Sequence, residues 1–166
     1  IFTPLSTFKN TATPVTYTVS DNAGQTATTT YTPTVAAPPA PTADPETTSG
    51  IKGATQTIDL IPGDTTFDPA ITLVRASVAL SCKSGVANCS VTNNKVTIVG
   101  VGTYEIDPAN PGNMLFTPEP NFTGVGPAVN YTVTDSMGGT ASSTYTPTVI
   151  PPPTVVSDTT SAGWNV

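Results

Sequence analysis

The sequence contains no histidine, and that absence removes much of the catalytic repertoire. Ser-His and Cys-His dyads need an imidazole, and a common nitrogen ligand of transition metals is missing with it. Positive charge is scarce as well: Lys9, Lys52, Lys83, Lys95 and Arg75 are the five cations against 11 acidic residues, for a net charge of -6. That balance lacks the basic footprint that nucleic acid or anionic lipid requires, so neither partner is expected. No run of residues is long and apolar enough to span a bilayer, and no membrane insertion is expected in this segment. No Gly-rich phosphate loop follows a strand and opens a helix. Ile1 is preceded by no charged or apolar leader, so an export signal or wall anchor is expected outside these residues.

What is present favours strands. The chain carries 18 Pro and 13 Gly, which punctuate it too often for long helices, and Thr, Val, Ile and Tyr between them suit a pleated, half-buried surface. Thr26 to Val35 reads as strand, and further windows fall at 55–60, 71–80, 89–92, 95–101, 103–106, 113–117, 128–134 and 140–149, at sandwich spacing. In Val129-Asn130-Tyr131-Thr132-Val133-Thr134 the apolar residues alternate with polar ones. Val129, Tyr131 and Val133, with Phe116, Phe122, Tyr104, Ile98 and Leu73, are the expected core. The fold class is all-β, in tandem immunoglobulin-like β-sandwich repeats joined by Pro-rich linkers.

The tandem reading comes from self-similarity, because residues 1–35 match residues 115–149 without a gap. Phe2-Thr3-Pro4 returns as Phe116-Thr117-Pro118, and Phe8 returns as Phe122. Val15, Tyr17-Thr18-Val19 and Asp21 return as Val129, Tyr131-Thr132-Val133 and Asp135. Gly24 returns as Gly138, and Tyr31-Thr32-Pro33-Thr34-Val35 returns as Tyr145-Thr146-Pro147-Thr148-Val149. An offset of 114 residues is too long for a solenoid turn and suits autonomous sandwiches in series. Residues 1–37 then read as the C-terminal part of a preceding repeat, 38–45 as a Pro-rich linker, 41–149 as one complete repeat, 150–154 as a second linker and 155–166 as the start of a following repeat. Proline runs of this kind favour extended, semi-rigid spacers.

Cys82 and Cys89 flank a polar, Gly-containing loop between two strand-like segments. A local disulfide across a hairpin is the expected arrangement, which implies an oxidising compartment. Two buried free thiols are the other reading, whereas a metal site would want more Cys or His.

The run Gly102-Thr103-Tyr104-Glu105-Ile106-Asp107, then Leu115-Phe116-Thr117-Pro118-Glu119-Pro120-Asn121-Phe122-Thr123-Gly124, then Tyr131-Thr132-Val133-Thr134-Asp135 and Tyr145-Thr146-Pro147-Thr148-Val149 resembles the CshA-type fibril repeat of bacterial surface fibrillar adhesins. Thr47-Thr48-Ser49-Gly50-Ile51-Lys52-Gly53 at the start of the unit is part of the same likeness. The resemblance implies an immunoglobulin-like sandwich repeated many times in a secreted, surface-attached protein that forms fibrils and mediates adhesion.

Site candidates are few, and no catalytic residue is expected. Asp21 and Asp135 each sit between two strands, three residues before a glycine, where a turn-forming carboxylate explains them without chemistry. Calcium is the one cofactor with candidates, at Asp44, Glu46, Asp107, Asp135 and Asp158, but calcium takes about 6 to 8 oxygens and no Asp-x-Asp-x-Asp loop gathers them. The expectation is therefore no cofactor. An isopeptide or ester cross-link would draw on Lys52, Lys95, Gln56 or Asn130. The Thr-x-Thr spacing of residues 26–32 would place a ladder of hydroxyls on one face, which strand propensity alone explains. Expected partners are neighbouring repeats, other fibril chains, and a host glycan or matrix protein. The function expected is a stalk repeat projecting an adhesive tip from the cell surface. The alternatives are a weak multivalent binding module, or a fibre subunit assembling by β-strand donation.

Overall fold

Alternation along the chain decides where the strands form and which way they face. In Val129–Asp135 every second residue is buried, so a strand that is apolar on one side and hydroxyl-bearing on the other lies flat on a core. The computed structural model describes residues 1–155 and 157, and its regular structure is β throughout. In chain order the strands are β1 (Asn10–Thr11), β2 (Val15–Ser20), β3 (Thr26–Tyr31), β4 (Thr34–Val35), β5 (Glu46–Ile51), β6 (Gln56–Asp59) and β7 (Leu73–Cys82). They continue with β8 (Cys89–Thr92), β9 (Lys95–Ile98), β10 (Gly102–Ile106), β11 (Asn113–Pro118), β12 (Gly124–Val125), β13 (Val129–Asp135) and β14 (Thr140–Ile150). Each of the eight windows expected in the central unit overlaps a strand, with ends that differ by up to three residues. β5 and β12 fall outside them.

The central unit has two sheets. One runs β6-β11-β10-β9-β8, and the other runs β12-β14-β13-β7 with β5 paired to β14. Every pairing is antiparallel except β5 on β14, which is parallel over six pairs from Glu46 with Tyr145 to Ile51 with Ile150. Between the sheets lies the core, with Tyr104, Phe116, Tyr131, Tyr145, Leu60, Met114, Val96, Val129, Val133 and Val149 fully enclosed. Tyr104 is its hub: its ring lies 4.7 Å from Phe116 and 6.1 Å from Tyr145, centroid to centroid, and its hydroxyl donates to the Pro127 carbonyl at 3.0 Å. Leu73 and Phe122, expected inside, are only partly buried against this cluster. Leu73 begins β7, and Phe122 sits outside the regular strands, so both are at the sandwich rim.

Two turns show how the sequence closes its hairpins. Asn93 and Asn94 both adopt left-handed backbone (φ 51° and 59°) between β8 and β9, the two-residue turn that matches strand twist. Asn94 then reaches to β7, accepting from the Leu80 amide at 2.6 Å and donating to the Val78 carbonyl at 2.9 Å. That satisfies backbone groups on an edge strand that would otherwise invite a further strand.

The disulfide departs from expectation in where it lies. Cys82 and Cys89 are bonded, with Cα atoms 6.0 Å apart. However, β7 and β8 belong to different sheets and do not pair, so the bridge joins one sheet to the other instead of crossing a hairpin. Ser84-Gly85 resembles a hairpin turn, but the chain there is changing sheets, with Val86 tucked against the core.

The N-terminal residues form two small ladders, β1-β4 and β2-β3. They reproduce the last part of the central unit pair for pair. Val15 faces Tyr31 as Val129 faces Tyr145, Ser20 faces Thr26 as Thr134 faces Thr140, and Asn10 faces Val35 as Gly124 faces Val149. The turns agree as well: Asp21 accepts from the amides of Ala23 and Gln25, and Asp135 accepts from those of Met137 and Gly139. Even the backbone conformation repeats, with φ 103° at Asn10 and 104° at Gly124.

Candidate functional site

Four polar groupings and one apolar face stand out, and the first braces the parallel pair. Glu46, Thr48 and Gly50 are the more buried residues of β5, alternating with exposed ones. Gln56 at the start of β6 is buried beneath them at 6% exposure. The Thr48 hydroxyl donates to Gln56 Oε1 and also lies 2.6 Å from the Tyr145 hydroxyl, while Gln56 Nε2 donates to the Thr148 carbonyl at 2.9 Å. One amide thus ties β5, β6 and β14. A Cβ at Gly50 would fall 2.8 Å from Gln56 Cγ, so glycine makes room for that side chain. Of the cross-link candidates, Gln56 accepts a hydrogen bond from a threonine hydroxyl, whereas Asn130 lies opposite Thr144 and donates to the Cys82 carbonyl. Lys95 instead pairs with Glu105 at 3.0 Å, and Lys52 is exposed. The Thr48–Gln56 contact has a tyrosine hydroxyl and a backbone carbonyl as its other hydrogen-bond partners, an arrangement suited to holding strands together. Gln56→Ala should lower stability by about 2 kcal/mol, since it removes an acceptor of the Thr48 hydroxyl and the donor to the Thr148 carbonyl and opens a cavity. Urea denaturation measures this, and Gly50→Ala should lower stability in the same assay by displacing the glutamine.

The second grouping is acidic. The Tyr131 hydroxyl donates to the Asp44 carbonyl at 2.6 Å and lies 3.3 Å from Asp64 Oδ1, which also accepts from the Asp44 amide at 2.8 Å. Asp64 Oδ2 is buried with no partner. Burial pushes the Asp64 carboxyl above its ordinary range. Burial also raises Glu46, helped by the nearby charges of Asp64, Asp44 and Asp59. A carboxyl whose folded pKa is raised stabilises the fold most when protonated, below its unfolded pKa, and that contribution fades as pH climbs through the folded value. The unit is therefore expected to become more stable as pH falls from 7 toward about 4.5. Asp64→Asn should raise stability at pH 7 by about 0.5–1 kcal/mol, allowing for partial solvent screening, and should flatten that pH trend. Thermal melts of both proteins across this range provide the check.

The calcium candidates do not converge. Asp44 sits just before β5, with Glu46 opening that strand. Asp107 closes the β10–β11 turn, accepting from the Ala109 amide and the Asn110 side chain, bonds that hold its pKa below the ordinary value. Asp135 closes the β13–β14 turn. Asp158 lies outside the described residues. Among the described residues no three acidic side chains gather as a metal ion would need.

A third grouping joins the N-terminal piece to the central unit, and it gave no sequence signal. Lys9 donates to the Met137 carbonyl in the Asp135 turn. Phe8, Val35, Ala36 and Pro38 line a groove there with Ile71 and Met137. The fourth grouping is the Lys95–Glu105 side of the β9–β10 sheet, where a groove of 640 Å³ is lined by Val78, Asn94, Lys95, Glu105, Asp107 and Pro108 among others. No aromatic ring lines it, so it lacks the stacking platform that carbohydrate recognition uses.

The apolar face belongs to the N-terminal hairpin. Val15, Tyr17, Val19 and Tyr31 are 62%, 49%, 57% and 53% exposed, whereas their counterparts Val129, Tyr131, Val133 and Tyr145 are all at 0%. Opposite this face lie Thr28 and Thr30 from the Thr-x-Thr run of residues 26–32, paired with Thr18 and Thr16 of β2, with Thr18 and Thr28 oxygens 2.8 Å apart.

Residues 38–149 match the family model for the surface adhesin CshA repetitive domain. No curated protein matches the chain.

Proposed function

Since the chain belongs to the surface adhesin CshA repetitive-domain family, we propose that it is a stalk segment of an extracellular bacterial surface fibril, built to hold an adhesive tip away from the cell. The observation that carries this reading is where the chain enters and leaves the central unit. Pro41 packs beside Gly139, just before β14 begins, and the chain departs from Ile150 at the far end of the same strand. Eleven residues of extended chain span roughly 35 Å, so entry and exit lie at opposite poles. Units with polar ends of this kind add length when joined in series. The proline-rich segments before Pro41 and after Ile150 suit spacers that keep their direction. The family's adhesin character and the disulfide both favour an oxidising, extracellular location.

In this role the repeat needs no catalytic group and no bound cofactor, and its partners are neighbouring repeats and other fibril chains. Small-angle scattering of the chain lengthened by one or two further copies of residues 38–149 tests it. The maximum dimension should grow by roughly 30–40 Å per copy. Growth far below that would mean that the units fold back on one another, and the stalk reading would fall. Recognition of a host glycan or matrix protein is assigned to the tip under this reading, so arrays probed with these chains should stay blank.

A further inference from the structure

The chain contains three Asp-Pro bonds, Asp44–Pro45, Asp68–Pro69 and Asp107–Pro108, and the fold holds one of them differently from the other two. Such a bond is open to attack from within, because the aspartate carboxyl lies a five-membered ring away from its own carbonyl carbon and the proline nitrogen is a tertiary amide without a hydrogen. At two of the three the carboxyl is already engaged. Asp68 Oδ1 accepts from the Ala70 amide at 2.8 Å, while Asp107 accepts from the Ala109 amide at 2.9 Å and the Asn110 side chain at 2.8 Å. Asp44 is the reverse. Among the described residues nothing donates to its carboxylate, which is exposed beside Gly63, where an added Cβ would stand 3.5 Å from Asp44 Oδ2. Its backbone is clamped instead: the Asp44 amide donates to Asp64 Oδ1 at 2.8 Å, and the Tyr131 hydroxyl donates to the Asp44 carbonyl at 2.6 Å. The other two carbonyls accept from the amides of Ile71 and Asn110, and that of Asp68 from the Thr66 hydroxyl as well, but only that of Asp44 meets the hydroxyl of an enclosed tyrosine.

We propose that Asp44–Pro45 is a self-cleaving bond, which the fold selects over the other two Asp-Pro bonds for scission in mild acid. An Asp44 carboxyl oxygen adds to the Asp44 carbonyl carbon, and the Tyr131 hydroxyl steadies the negative charge that forms on the carbonyl oxygen. Burial raises the Tyr131 pKa, so the hydroxyl stays a donor throughout. The C–N bond then breaks, the carboxyl proton passes through solvent to the Pro45 nitrogen, and the cyclic anhydride left on Asp44 is opened by water. The products are residues 1–44, ending in a free aspartic acid, and residues 45–166, beginning with proline. The charged groups around this corner are Asp64 from the β6–β7 segment, Glu46 from β5 and Asp59 from β6, the last paired with Arg75 of β7. Acid neutralises the carboxylates and leaves the tyrosine bond in place. The cut falls between the Pro-rich segment and β5, so only contacts such as Lys9 with Met137 and Thr42 with Thr65 still join the two sides. The stretch after Ile150 has no such bond, since Asp158 is followed by Thr159. A stalk would thus part at this joint and hold at the next. That consequence rests on the stalk reading, whereas the bond chemistry does not, and a fragment mass can fail independently of a particle length.

The experiment incubates the whole chain at about pH 4, near the ordinary aspartate pKa, and follows its fragments by intact mass. Residues 1–44 and 45–166 should appear at least about 10-fold faster than fragments cut at Asp68–Pro69 or Asp107–Pro108, the margin expected of one well-placed donor to a developing oxyanion. In concentrated urea, where the clamp is lost, the three rates should converge. Asp44→Glu lengthens the ring that must close and should slow the cut by about 10-fold or more, with the other two bonds unchanged. Tyr131→Phe keeps the aromatic ring and removes the donor, and it should bring Asp44–Pro45 down toward the rate of its two counterparts. Hydrogen exchange of β13 and β14 at the same pH reports that each variant is folded. An uncut chain, equal rates at the three bonds in the folded protein, or an unchanged rate in folded Tyr131→Phe would each overturn the proposal.

Discussion

Replacing Tyr131 by alanine is expected to cost the central sandwich about 3–5 kcal/mol, whereas Tyr17→Ala, at the matching position of the N-terminal hairpin, should cost less than about 0.5 kcal/mol. The two tyrosines hold the same register position, Tyr131 opposite Ser143 and Tyr17 opposite Thr29, so strand propensity largely cancels between them. What differs is burial: Tyr131 is completely enclosed and Tyr17 is half exposed. Truncating Tyr131 removes a ring from between the sheets and deprives the Asp44 carbonyl of its donor. Against a total of about 5–15 kcal/mol for a domain, a loss of that size leaves a fold that melts near ambient temperature. Tyr131→Phe separates the two contributions, since it keeps the ring and should lose only about 1 kcal/mol. Urea titrations of the three variants decide the matter. A Tyr131→Ala protein as stable as the parent would mean that the sandwich core lies elsewhere.

Reduction of Cys82–Cys89 is expected to lower stability by about 2–3 kcal/mol, or roughly 10 °C in the melting temperature. The loop is short, with a sequence separation of 7, so restriction of the unfolded chain contributes only the lower end of the usual range. The bridge also holds the end of β7, in one sheet, to the start of β8, in the other. Loosening should therefore show first in hydrogen exchange of β8, an edge strand with one partner, and of the last residues of β7. A Cys82→Ser, Cys89→Ser variant melting with the reduced protein would assign the loss to the bond itself. Equal melting temperatures for oxidised and reduced protein would show that the sheets need no such link.

How much of this could be read from residues alone depended on what each strand presses against. Strands meeting apolar neighbours announce themselves, and β10, β11, β13 and β14 fall where alternating Tyr, Phe and Val place them. β5 has no such signature, because its inward positions are Glu46, Thr48 and Gly50 and its packing partner is the amide of Gln56. A polar strand held by side-chain hydrogen bonds looks like linker until its partner is known. The Cys82–Cys89 loop misled in a different way, since a short crossover between sheets and a hairpin turn draw on the same residues. At the acidic grouping, Asp44 and Glu46 were visible as carboxylates at a junction. Asp64 was not, because only the Thr42–Thr65 bridge brings it alongside them. The repeat was the clearest signal of all, as an ungapped match over 35 positions carries register as well as fold.

The parallel pairing of β5 with β14 sets how the repeat would bear load. Tension along a fibril would pull the start of β5 one way and the end of β14 the other, so the two strands would be sheared past each other with their six pairs loaded together. Separation then cannot proceed one hydrogen bond at a time, as it does when a hairpin is unzipped. Gln56, bonded to both strands, would act as a rivet through that joint. A protein anchored at one end and gripped at the other would thus meet mechanical stress with its most cooperative set of bonds.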